Sequence, residues 1–180
     1  MPSPVGHAIA GLTTAWIAEI IAPSTAADGS PRSAAVLSGL TIACIAAAMS
    51  PDLDILVDSH RTYTHSIGAA ALVGLMVWLV MRRLSPSPVR IAIIVTSAYF
   101  SHVLLDWLGK DTSVPPGLMA LWPLSSKFYL SQWNVFPEIS RRYWRPDEFM
   151  VGNLKGAVRE VAILGPVAAL AWWMRKTRAR

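Results

Sequence analysis

Apolar residues in this chain run in long blocks rather than scattered, and two of the runs carry no formal charge at all. Residues 33–51 and residues 62–81 carry no formal charge, runs of 19 and 20 positions. A helix crossing the hydrocarbon core of a bilayer needs about 20 such residues. Five stretches fit spanning helices, at about residues 5–22, 34–49, 66–81, 89–108 and 156–174. Ala and Leu favour helix in all five, and Gly11, Gly39, Gly68 and Gly74 permit close helix approach. Pro23, Pro51, Pro86 and Pro88 fall in the breaks, where proline ends a helix. Pro166 lies inside the fifth stretch and predicts a kink. The second stretch is short for a full span and is expected to tilt little.

Residues 109–153 follow a different pattern. Pro115, Pro116, Gly117, Pro123, Pro137 and Pro146 exclude a regular spanning helix there. The same segment holds Trp122, Phe128, Tyr129, Trp133, Phe136, Tyr143 and Trp144. Aromatic rings with a polar tip favour the headgroup zone, so the segment reads as an interfacial collar or, equally, as a plain extramembrane loop. Arg141, Arg142 and Arg145 among these rings fit an anchor on anionic lipid.

Composition strengthens the membrane reading. Apolar residues make up 53% of the 180 positions and charged residues 15%, against about 25% charged in an average soluble protein. The expected fold is an all-α membrane protein, one membrane-embedded domain over residues 1–180. The net charge of +5 raises the question of nucleic acid, but no basic helix or aromatic–basic stripe supports it. Cys44 is the single cysteine, so no disulfide framework exists. The opening residues lack the basic start of a cleaved signal, and a retained first helix is expected. P-loop, serine-nucleophile and HExxH motifs are absent.

The chemistry lies with the histidines. With five crossings, the start of the chain, the loop after the second stretch and the loop after the fourth share one side. That alternation gathers His7, His60, His65 and His102 on one face, together with Asp52, Asp54 and Asp106. His102 and Asp106 stand four apart, on one face of a helix. Taken alone, such a pair is more often a structural hydrogen bond than a metal grip. Three carboxylates packed together at a membrane edge, however, repel one another and lose hydration unless a cation joins them. His7, Asp52, Asp54, His65, His102 and Asp106 are the candidate ligands for one or two divalent ions, Zn²⁺ or Mn²⁺. His60 is read as ligand or as acid–base residue. Arg61 is read as a holder of substrate phosphate or as the partner of a ligand aspartate. Thr64 and Ser66 are read as caps of the third helix, Asp58 as a solvated loop acid, and Glu19 as snorkelling or pairing near the opposite face. Arg159 and Glu160, at the start of the fifth helix on the histidine side, are read as supporting the ligands from behind.

Pro51-Asp52-Leu53-Asp54, His60-Arg61-Thr62-Tyr63-Thr64-His65-Ser66 and His102-Val103-Leu104-Leu105-Asp106 together resemble the motifs of the YdjM-like family of membrane-bound metal-dependent hydrolases. An early histidine, here His7, also fits, as does Trp122-Pro123-Leu124-Ser125, so the resemblance covers about residues 5–126. Thr62 departs from the glycine such sequences often carry after the arginine. The family's hydrolase label rests on similarity to zinc phospholipase C-like enzymes, so the resemblance implies metal chemistry and leaves the substrate open.

The resulting expectation is a membrane-bound hydrolase, of esterase or phosphodiesterase type, that uses a metal-activated water on a phosphoester or other ester. Membrane lipids and a lipid-linked substrate are the expected partners. Two rivals stand beside it: a divalent-cation transporter, and a non-catalytic module in which metal staples loop to helix. Eight basic residues fall on the side opposite the histidines and seven on the histidine side, most of these seven in a long segment that also carries acids. Basic residues in short connections favour the cytoplasm, so a bacterial-type inner membrane with the histidines on the extracytoplasmic side is expected. Oligomeric state is not legible.

Overall fold

The computed structural model describes residues 1–23, 37–57, 60–140, 142 and 144–178. Asp28, Arg32, residues 34–36, Asp58, Arg141, Tyr143 and Arg180, which figure in the sequence reading, lie outside the described residues. Five α-helices appear among the described residues: α1 (Pro4–Ile21), α2 (Gly39–Met49), α3 (Ile67–Met81), α4 (Pro88–Leu108) and α5 (Asn153–Arg178). A 3₁₀ helix (Ser50–Val57) prolongs α2, and a π-helical turn (Asp147–Gly152) leads into α5. The described residues contain no strand, only two isolated bridges.

Four helical runs are long and apolar enough to cross a membrane: Pro4–Ile21, Gly39–Leu56, Pro88–Leu108 and Phe149–Arg178. The fifth, α3, is apolar but only 15 residues long. Two expectations change. α2 ends at Met49, ahead of Pro51, but no loop opens there; the chain tightens into 3₁₀ geometry, where a proline in the opening turn forfeits no needed hydrogen bond. That turn brings Asp52 and Asp54 into a helical element rather than a loop. The last helix is also longer than the apolar block, running from Asn153 to Arg178 through Pro166.

In the bundle α1 packs on α2, α4 and α5, while α4 also packs on α2 and α3. The interior is built from small residues, including Ala15, Cys44, Ala47, Ala70 and Ala98. Large apolar side chains such as Leu72, Met76, Ile93, Val158 and Leu170 face outward. This inversion suits a lipid surround, where association relies on close van der Waals packing rather than on apolar burial. Gly11 shows how close: a Cβ there would lie 2.6 Å from the Cys44 carbonyl oxygen and 2.8 Å from Ala48 Cβ.

Basic side chains finish the far end of α1, where the last carbonyls lack helical partners and carry partial negative charge. Arg178 Nη1 donates to Ile20 O at 2.5 Å, and Arg90 donates to Ala22 O. Glu19 pairs with Arg175 at 2.6 Å, as its position opposite the histidines predicts, and Arg175 lies over the Trp16 ring.

At the histidine end, residues after α4 complete two helix termini. Ser131 N and Val135 N donate to Trp107 O and Leu108 O, two orphan carbonyls at the end of α4. Ile67 N and Gly68 N, orphan donors at the start of α3, reach Ala120 O and Trp122 O, both at 2.9 Å. Leu118, Met119 and Phe136 fill the space beneath this segment, while Val114, Leu124 and Trp133 are exposed.

Candidate metal centre

Four elements bring their chemistry to one end of the bundle. The 3₁₀ helix supplies Asp52 and Asp54, the turns before α3 supply His60 and His65, α4 supplies His102 and Asp106, and α1 supplies His7. One ligand atom each from Asp52, His65, His102 and Asp106 lie within 4.8 Å of one another. Asp54, His60 and His65 form a second such group. His7 stands beside the first: its ring stacks on His102 with centroids 3.7 Å apart, and its Nε2 lies 3.4 Å from Asp106 Oδ1.

The hydrogen bonds fix which way each ring presents its lone pair. His102 Nδ1 lies 2.8 Å from the carbonyl oxygen of Ala48, which can only accept, so Nδ1 carries the proton. In the neutral ring Nε2 is then a bare acceptor, and it faces Asp106 Oδ2 at 3.2 Å and Asp52 Oδ1 at 3.7 Å. His65 repeats the arrangement. Its Nδ1 faces Asp54 Oδ2 at 3.1 Å and Thr64 Oγ1 at 3.0 Å, and its Nε2 faces Asp106 Oδ2 at 3.3 Å and Asp52 Oδ1 at 3.6 Å. Imidazole lone pairs aimed at carboxylates repel unless a cation, proton or metal, lies between them.

The donor set fits a metal. Both nitrogens of His7, the Nε2 atoms of His65 and His102, and both carboxylate oxygens of Asp106 are buried without a hydrogen-bond partner among the described residues. Leaving such groups unsatisfied is costly. Ligand atoms around one tetrahedral ion, each at about 2.0–2.1 Å, are about 3.3 Å apart, close to the 3.2–3.7 Å separations here. Two imidazoles and two carboxylates suit Zn²⁺ or Mn²⁺. Burial alone lowers the His65 pKa, but the nearby carboxylates of Asp52, Asp54 and Asp106 outweigh it and push it up to about 9.

Asp54 is the hub behind these ligands. It accepts from His60 Nδ1 at 2.8 Å, from the Arg61 amide at 3.2 Å and from Thr64 Oγ1 at 2.5 Å, besides facing His65. Thr64 therefore does not cap α3; Ser66 does, accepting from Ala69 N at 3.1 Å. The Thr64 carbonyl accepts from Tyr99 Oη of α4 at 2.7 Å, which joins the turn to the helix carrying His102.

Arg61 pairs with an aspartate, though not with one of the candidate ligands. Its backbone sits at φ 68°, and its guanidinium pairs with Asp111 while donating to Pro115 O at 3.3 Å and Gly117 O at 3.2 Å. It ties the turn before α3 to the segment after α4. Burial raises the Asp111 pKa, but hydrogen bonds from Ser113 and from the Gly117 and Ser113 amides, with the Arg61 charge, leave it below the usual carboxylate value.

The site is closed except at one edge. Asp52 keeps 26% of its side chain exposed, whereas those of His65, His102 and Asp106 are fully or almost fully covered. Leu53 and Leu56, exposed at 64% and 82%, flank that edge on the same 3₁₀ helix.

The structure thus brings together all six candidate ligands, with His60 beside them and the Arg61 guanidinium turned away. Three contributors escaped the sequence reading. Asp111 and the Ala48 carbonyl lie 50 and 54 residues from their partners, with no local signal. Tyr99 had one weak signal, its position three residues before His102 on the same helix.

The chain belongs to the YdjM inner membrane protein family, whose model matches residues 1–177. No curated protein matches it, and no solved structure does.

Proposed function

We propose that this protein is a membrane-bound, metal-dependent hydrolase whose substrate is a phosphoester or other ester of a lipid or lipid-linked molecule. The observation that carries the reading is the convergence of the His65 and His102 Nε2 atoms on Asp52 and Asp106, with both Nδ1 atoms committed to acceptors behind them. In this reading Asp52, His65, His102 and Asp106 hold one divalent ion, Zn²⁺ or Mn²⁺, and His7 approaches from the Asp106 side. Two ligand carboxylates balance the charge of one such ion. When bound, a divalent ion there supplies Lewis acidity, lowering the pKa of water and polarising a phosphoryl or carbonyl oxygen.

The chain's own residues do the rest. Asp54 accepts from His65 Nδ1 and so holds the ring with Nε2 forward, the usual service of a carboxylate behind a ligand histidine. With Asp54 engaged in this way, a single ion is favoured over two. His60, held at Nδ1 by Asp54, is assigned to proton transfer at the leaving group. Arg61 acts through Asp111 to keep the segment after α4 over the site.

The open edge at Asp52, flanked by exposed Leu53 and Leu56, supports an amphiphilic substrate that presents its ester to the site and leaves its chains in the bilayer. Five crossings, α3 being a short one, and an interfacial position for residues 109–153 complete the reading. The side favoured for the site is the extracytoplasmic face of the inner membrane. Purified protein loaded with zinc or manganese is expected to cleave a phosphodiester analogue in mixed micelles, and Asp106→Ala is expected to lose that activity. Equal activity in the two proteins would remove the assignment.

A further inference from the structure

The longest helix, α5, supplies none of the metal-facing side chains, yet it carries a fully buried carboxylate at the metal end of the bundle. Glu160 is 0% exposed. Its Oε1 accepts from Ser3 N at 2.7 Å, and its Oε2 accepts from Gly6 N at 3.0 Å and from the Ser3 hydroxyl. These are the cap and first-turn groups of α1, and Ser3 Oγ in turn accepts from Val5 N at 3.2 Å. A carboxylate from another helix thus satisfies orphan donors of α1 at the end where the helix dipole is positive. The next residue after Gly6 is His7, which also donates its amide to Ser3 O at 3.2 Å.

We infer that Glu160 is a positioning residue for the metal centre, acting through α1 to hold His7 against His102 and Asp106. The contact is specific in shape as well as charge. A Cβ on Gly6 would lie 2.8 Å from Glu160 Oε2, so a side chain there would push the carboxylate from its present seat. The His7 ring meets its neighbours only through the His102 stack and the 3.4 Å approach of Nε2 to Asp106, with no shorter hydrogen bond from either nitrogen among the described residues. Stacking on His102 allows the ring to slide. The α1 backbone, pinned by Glu160, is what fixes its height along the bundle.

This inference rests on the metal reading above, and the test separates the two. Zinc affinity is measured by chelator competition on the full chain in detergent for wild type, Glu160→Ala, His7→Ala and the double variant. Melting temperatures are taken with and without zinc. Loss of a residue that orients ligands weakens metal binding about 10–100-fold, and His7 bears on two of them, His102 and Asp106. Glu160→Ala is expected to weaken zinc within that range, and the double variant is expected to bind no more weakly than His7→Ala alone. A general loss of packing would instead lower both melting temperatures together and leave zinc affinity unchanged. Unchanged affinity, or a full further loss in the His7→Ala background, would overturn the inference while leaving the metal centre standing. If Glu160→Ala does not fold, Gly6→Ala crowds the same carboxylate and carries the same comparison. Wild-type protein that takes up no zinc would overturn the metal reading, and this inference with it.

Discussion

His102 turns its Nδ1 to the carbonyl oxygen of Ala48, 2.8 Å away, and thereby aims Nε2 at Asp106 one helical turn further on. The Ala48 carbonyl is near the end of α2, so one hydrogen bond sets the ring's tautomer and couples two helices to the same ligand.

Removing that ring tests the centre directly. Wild-type protein is expected to retain about one equivalent of divalent metal through purification, read by elemental analysis. Metal at 100 times its dissociation constant stabilises the fold by about 2.7 kcal/mol, so chelation should lower the melting temperature. His102→Ala is expected to lose the metal and the chelator-sensitive part of the stability. Glu19→Ala breaks the pair with Arg175 at the opposite end, so it should lower the melting temperature equally with and without chelator. A His102→Ala protein with full metal occupancy would show that the four residues do not form one site.

Asp54 is predicted to behave differently from Asp106. Asp54→Asn keeps the shape of the side chain but offers an amide where His65, His60 and Thr64 all need an acceptor. Metal affinity should fall about 10–100-fold without vanishing, whereas Asp106→Asn, facing three imidazoles, should abolish tight binding. Titration with a competing chelator distinguishes the two. If both variants lose metal equally, Asp54 is a ligand, and the Asp54–His60–His65 group holds an ion of its own.

What the sequence made legible follows from the range of the forces involved. Helices α1, α3 and α4 are local consequences of apolar blocks bounded by Ser3, Ser66 and proline, and they fall within a few residues of the expected ends. The convergence of the candidate ligands was legible because alternating apolar stretches alone bring His7, Asp52, His65 and His102 to one end. The 3₁₀ turn at Ser50–Val57 was hidden, since Pro51 signals a break equally well in either geometry. The Arg61–Asp111 pair was hidden because the two residues are 50 positions apart and Asp111 belongs to no motif. Which of two neighbouring aspartates faces a metal, and which faces a histidine, depends on side-chain direction that spacing does not encode.

The Arg61–Asp111 tie yields a pH prediction. The Asp111 carboxyl has a folded pKa below its unfolded value of about 3.9. Such a group contributes stability in full above the unfolded value and loses it as pH falls through the folded one. Wild-type stability should therefore drop more steeply below about pH 4 than that of Asp111→Asn. Above about pH 5 the variant should be less stable by about 1–3 kcal/mol, the worth of hydrogen bonds to a charged group. Denaturation followed by tryptophan fluorescence across this range checks both limbs. Parallel pH profiles would mean that Asp111 contributes nothing through its charge.

Orientation is the last prediction, and it turns on how the basic residues are distributed. At the end of the bundle opposite the site, Arg90 and Arg178 complete the carbonyls of α1, Arg175 meets Glu19, Arg82 lies over Trp78 and Lys176 over Trp172. Packing of this kind does not remove their charge, and all flank short connections or helix ends, where Lys and Arg are retained on the cytoplasmic side. The basic residues near the site lie mostly in the long segment after α4, which also carries Asp111, Glu138 and Asp147 and so weighs less. An odd number of crossings then leaves the C-terminal end of α5 inside and the metal centre outside. A reporter that fluoresces only in the cytoplasm, fused after Arg180, should be active in a bacterial host. A reporter that needs the periplasm, inserted at the exposed Ser113, should be active as well. Activity of the first with silence of the second would mean that α5, the one helix between the two insertion points, does not complete a crossing. The reverse of both signals would turn the site to the cytoplasm, and its lipid-linked substrate would have to be sought in the inner leaflet.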